Sequence, residues 1–83
     1  MRIDDFLSTV GIIKRRTIAK ELASNGMIEV NGRRVKPAHE VKANDIIAIK
    51  GAQFVTLEVR AIPVGSIPKE RRDEFVKILT SAS

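Results

Sequence analysis

Lys14-Arg15-Arg16-Thr17-Ile18-Ala19-Lys20-Glu21-Leu22-Ala23 sets three consecutive cations directly ahead of a helical apolar period, Ile18, Ala19, Leu22 and Ala23. The spacing predicts a helix from about Arg15 to Asn25, ended by Gly26 in a left-handed conformation. A helix N-terminus carries partial positive charge and unpaired backbone amides. Cations there cost roughly 0.3–1 kcal/mol each at exposed positions. A bound phosphate reverses the sign, because it accepts from the free amides and pairs with the side chains. The run supports two readings, a solvated basic turn or an anion site.

Upstream, Ile3, Phe6, Leu7 and Val10 recur at three and four residues and predict a first helix, ended by Gly11. Asp4 and Asp5 fall in its first turn, where the dipole favours acids, and Asp4 is also within reach of a nearby Arg. Helices joined by so short a loop pack as neighbours. Arg16 can therefore meet an anion, or pair with Asp4 and tie the helices together.

Downstream the period switches to two, with Ile28 and Val30 against Met27 and Glu29. Asn31-Gly32 follows, a strong hairpin signal because both residues of a tight type I′ turn need positive φ. That turn pairs Val30 with Arg33 and Glu29 with Arg34, which predicts a cross-strand Glu29–Arg34 ion pair. Arg33 lies near the turn, where it rims the core or reaches out. Two further strands are expected at Asp45–Lys50 and Phe54–Ile62, joined by Gly51-Ala52-Gln53. Pro63 to Pro68 reads as a connector, and a last helix is expected from Lys69 to Leu79, with Phe75, Ile78 and Leu79 on its apolar face. The fold class is α+β: two N-terminal helices packed on a small, mostly antiparallel sheet, plus a C-terminal helix. Residues 1–62 are expected to form the domain, with residues 63–83 as connector and helix packed on or beside it.

Charge is distributed unevenly over the 83 residues. The chain carries +5 overall, and residues 1–36 hold eight basic and four acidic side chains. A one-sided basic half suits a polyanion. With no Cys there is no disulfide framework and no thiolate chemistry. Asp4 and Asp5 stand where a signal peptide needs apolar residues, and the longest apolar run is Ile46–Ile49, far below a membrane span. A cytoplasmic protein without membrane contact is expected. His39, the single histidine, lies in a loop-like stretch, and the scattered glycines form no phosphate loop. No catalytic residue, metal site or cofactor is indicated. Trp and Tyr are absent, and Phe6, Phe54 and Phe75 fit core or strand positions, so no stacking platform for single-stranded bases is expected. Structured RNA, read through its phosphates and 2′-hydroxyls, fits better.

Four segments in order resemble the S-four-type (αL) RNA-binding domain: Arg2-Ile3-Asp4-Asp5-Phe6-Leu7, Lys14-Arg15-Arg16-Thr17-Ile18-Ala19, Gly26-Met27-Ile28-Glu29-Val30-Asn31-Gly32, and Val41 with Asn44-Asp45-Ile46. Arg15 stands where that family usually has Ser, and Asn44 replaces a Gly. The resemblance implies an RNA-binding module whose two helices present the basic surface. Arg2, Lys14 and Arg16 match its basic positions and Thr17 its second Ser. With Arg15, Lys20 and Arg33 added on charge, these form the candidate RNA-binding set. As a freestanding copy the chain is similar to the heat-shock-protein-fifteen family, and within it most similar to the ribosome-associated quality-control P group. That likeness implies a non-enzymatic protein, and a monomer is expected when it is free. It would contact ribosomal RNA and tRNA on the large ribosomal subunit, where nascent chains have stalled. The alternatives are a basic module docking an acidic protein, or a targeting domain separated from an RNA-modifying enzyme.

Overall fold

The computed structural model describes residues 1–82. Helix α1 spans Ile3–Thr9 and α2 spans Arg16–Ser24. Strands follow at Ile28–Val30 (β1), Arg33–Arg34 (β2), Ile46–Lys50 (β3), Phe54–Val59 (β4) and Val76–Ala82 (β5). They form one five-stranded sheet in the order β2-β1-β3-β4-β5, with every pairing antiparallel. The two helices lie on one face of this sheet. Ile3, Phe6 and Leu7 of α1 meet Ile28, Val30, Ile47, Ile49, Leu57, Val59 and Val76 from the strands in a single core.

Helix α2 buries only Ala19 and Ala23, and half-buries Leu22. Two small side chains on the packed stripe let its backbone come close to α1. Ile18, counted with the apolar period in the sequence, is 44% exposed. It falls on the solvent side of the stripe, beside the basic residues.

The Asn31-Gly32 turn forms as expected, with φ of +53° and +85° and the pairs Val30–Arg33 and Glu29–Arg34. Asn31 contributes more than a permissive backbone. Its Oδ1 accepts from the Ile46 amide at 3.0 Å and its Nδ2 donates to Asp45 Oδ1 at 3.2 Å. The hairpin is thereby fastened to the start of β3. Asn44, in place of the usual Gly, holds φ at +75°.

The expected Glu29–Arg34 ion pair does not form. Glu29 instead takes Lys50 of the next strand, Oε2 to Nζ at 2.6 Å. Glu29 has a strand on each side, and Lys50 lies diagonally across the β1–β3 ladder within easy reach. Arg34 stretches the other way, over Gly26, where its Cδ would lie 3.3 Å from an added Cβ.

The expected C-terminal helix is also corrected. Only Lys69–Glu74 is helical, as a short 3₁₀ segment, and the chain from Val76 becomes β5 on the free edge of β4. The apolar spacing of Phe75, Ile78 and Leu79 mimics a helical face because β5 carries a bulge. Thr56 pairs with Thr80 and Leu57 with Ile78, which leaves Leu79 as the extra residue. The β-branched residues Val76, Ile78 and Thr80 suit the strand. Phe54 is 41% exposed on the helix-free face rather than part of the core.

Asn31→Val should unfold the protein at lower urea, by about 2 kcal/mol. A β-branched residue resists positive φ, and the Ile46 amide loses its acceptor. Asn31→Gly should cost about half as much, since it keeps the turn and loses only the side-chain bonds.

Candidate nucleic-acid interface

The two helix N-termini are treated in opposite ways. At α1 the first amides are occupied: Ile3 N–H donates to the His39 carbonyl at 2.8 Å, Asp4 N–H to Pro37 at 3.4 Å, and Asp5 N–H to Asp4 Oδ1 at 2.7 Å. At α2 the N-cap residue is Arg15, which makes no side-chain cap hydrogen bond, and the first turn holds no acid. Lys14, Arg15, Arg16 and Thr17 surround this open end and are all exposed.

A buried carboxylate sets the position of that end. Asp4 is fully buried. Arg2 holds it with two bonds, Nε to Oδ1 at 3.1 Å and Nη2 to Oδ2 at 3.0 Å. Arg16 adds an ion pair, Nε to Oδ2 at 3.7 Å. The Arg2 and Arg16 side chains stay 46% and 52% exposed. Arg16 thus does what the pairing reading required, tying α2 to α1, but over a contact too long for a hydrogen bond. Its terminal N–H groups remain available to a ligand.

Lys14 and Arg16 line one concavity of about 580 Å³ with Met1, Asp5, Ser8, Thr9, Gly65 and Ser66. Arg2 joins this group through the shared Asp4 carboxylate. Arg15, Thr17 and Lys20 flank it on the surface and line none of the concavities described here. Arg33 is brought elsewhere, into a second concavity with Arg34, His39 and Lys42 around the hairpin. His39 contributes its backbone to α1, accepting from Ile3. The sequence reading missed Lys69 and Arg72, which the 3₁₀ segment carries to the end of α1 beside Lys14. Their i, i+3 spacing is a neighbour spacing in either helix type, but in the α-helix expected there Asp73, four residues after Lys69, shares that face and offsets the charge. Among the described residues no helix is long and apolar enough to cross a membrane.

A basic, uncapped helix start tied to a neighbouring helix through a buried carboxylate suits a small RNA-binding module, and the comparisons agree. The S4 domain family model matches residues 1–47. An RQC P-site tRNA stabilizing factor from Listeria innocua is 40% identical over 80 residues, covering 95% of this chain and 86% of its own. The protein of the same name from Bacillus subtilis is 41% identical over 63 residues, covering 75% and 73%. Small ribosomal subunit protein uS4 of Borrelia hermsii is 42% identical over 61 residues, covering 72% of this chain and 29% of its own. Neither name denotes an enzyme. Among solved structures, Heat Shock Protein 15 of Vibrio cholerae shares the fold at a TM-score of 0.86 and 21% identity, covering 95% of this chain and 81% of its own. The solution structure of a hypothetical protein matches at 0.78 and 33% identity, covering 96% and 98%. The chain belongs to the S4 domain family and, within it, to the family of the RQC P-site tRNA stabilizing factors.

Arg2→Ala should cost about 3 kcal/mol of stability, because it strips the two short bonds from a buried carboxylate. Arg16→Ala should cost at most about 1 kcal/mol, since its contact is long and its side chain half-exposed. Urea unfolding of both, each combined with Asp4→Ala, checks this, and the larger coupling energy should belong to Arg2. Equal costs for the two arginines would contradict the division.

Proposed function

We propose that this chain is a non-enzymatic RNA-binding protein that holds structured ribosomal RNA and tRNA on the large ribosomal subunit, in quality control of stalled nascent chains. The observation that carries the reading is the open N-terminus of α2, ringed by Lys14, Arg15 and Arg16 and free of first-turn acid. A phosphate there would accept from the helix amides, gain from the dipole and take charge-assisted bonds from the Arg16 fork. Arg2, Thr17 and Lys20 would extend the contact to neighbouring phosphates, and Arg33 would touch the same RNA from the hairpin. Such contacts position a folded RNA rather than read its sequence. The ribosomal setting is supported by the names of the relatives, stabilizing factors of P-site tRNA. A monomer acting in the cytoplasm suits that setting.

Filter binding to a synthetic RNA stem-loop, across a salt series, tests this. About four to six phosphate contacts give a slope of log K against log salt of about −3 to −4 for single strands and about −5 for a duplex. Arg16→Ala should weaken binding more than Lys20→Ala. The protein should also sediment with large ribosomal subunits and be released by high salt. A flat salt response, or association with a protein fraction that survives nuclease, would contradict the reading and favour an acidic protein partner.

A further inference from the structure

Residues 65–72 lie outside the stretch that carries the S4 match, yet they build one wall of the groove beside α2. Gly65 and Ser66 stand with Lys14 and Arg16 in the first concavity. Lys69 and Arg72 line a further one, of about 500 Å³, together with Lys14. Ser8, Thr9 and Lys14 belong to both, so the two make one continuous groove along the end of α1.

The 3₁₀ segment Lys69-Glu70-Arg71-Arg72-Asp73-Glu74 is neutral overall, but its geometry sorts the charges. With three residues per turn, side chains at i and i+3 eclipse. Lys69 and Arg72 therefore share one face, Glu70 and Asp73 a second, and Arg71 and Glu74 the third. Arg71 commits its fork to Glu74, with Nε to Oε2 and Nη2 to Oε1 both at 2.9 Å. Those bonds hold the Glu74 carboxyl below its usual range. An α-helix would have set Asp73 beside Lys69 at i+4 and mixed the signs.

The cationic face is turned toward α1. Arg72 Nη2 donates to the Gly11 carbonyl at 3.3 Å, while its Nε is buried without a partner. The approach is close enough that a Cβ on Gly11 would lie 3.1 Å from Nη2. A buried, unpaired guanidinium donor carries a desolvation cost that an arriving acceptor relieves.

We propose that Lys69 and Arg72, with Lys14, form a second phosphate contact for the same RNA, continuing the backbone track that begins at the N-terminus of α2. This rests on the RNA-binding reading above. A run of cations and small hydroxyls along a groove matches the regular charges of a nucleic-acid backbone. An acidic protein partner would more often be gripped by aromatic anchors, and the chain has no Trp or Tyr.

The test is filter binding of wild type, Lys69→Ala, Arg72→Gln and Arg72→Lys to a synthetic RNA stem-loop over a salt series, with melting followed by circular dichroism. Lys69 is exposed, so its variant should fold normally. Lys69→Ala and Arg72→Gln should each reduce the magnitude of the salt slope by about 0.7–0.9, and Arg72→Lys should keep it. A steep wild-type slope that Lys69→Ala leaves unchanged would overturn the second contact while sparing the first. A flat wild-type slope would remove the RNA reading itself, and the second contact with it. Weaker binding by Arg72→Gln at an unchanged slope, with a lower melting temperature, would reduce Arg72 to a cap for α1 and overturn its part. Loss of polyglutamate binding in these variants with RNA binding intact would overturn the proposal in favour of an acidic protein.

Discussion

The carboxylate of Asp4 is the constraint on which the arrangement turns. A fully buried acid needs partners, and leaving it without them costs several kcal/mol. Arg2 answers with a bidentate fork and Arg16 with a longer ion pair, so one buried group fixes the start of α1 and the start of α2 together. Both arginines come from the solvent side and remain about half exposed. The acid therefore acts as an organiser. It limits the rotamers of two cations before any ligand arrives, and so lowers the ordering cost of binding one.

The rest of the fold serves this junction. Ala19 and Ala23 allow α2 to approach α1 closely. The loop at residues 37–41 supplies carbonyls to the α1 amides and pairs Glu40 with Arg2 through the backbone. Asn31 locks the hairpin to β3. The sheet supports the helices on one face and leaves the other open, with charge pairs such as Glu29–Lys50 keeping that face polar. The N-terminus of α2 is left open, and three cations gather there.

Much of this was legible in the sequence. The helix starts, the Asn31-Gly32 turn and the period-two strands follow from local rules that tertiary packing did not override. The end of the chain was not legible for a geometric reason. A bulge at Leu79 breaks strict alternation, so Ile78 and Leu79 of β5, with Phe75 just ahead of the strand, show the spacing of a helix. The Glu29–Arg34 pair failed because a hairpin rule sees two strands, whereas β1 has a neighbour on both sides. The cations Lys14, Arg15 and Arg16 could be read from the sequence as a candidate site. Their bracing by Asp4 could be read only as one of two possibilities, since spacing does not fix a side-chain distance. Lys69 and Arg72 did not stand out as a pair, because in the expected α-helix Asp73 shares their face and offsets their charge, whereas three residues per turn moves it to another face.

The most direct measurement is an amide NMR titration of the protein with an RNA stem-loop. If the open end of α2 receives a phosphate, the Arg16 and Thr17 amide resonances should shift early and strongly, in step with RNA saturation, and high salt should abolish the effect. Shifts confined to the hairpin or the open sheet face, with the Arg16 and Thr17 amides unmoved, would contradict the account.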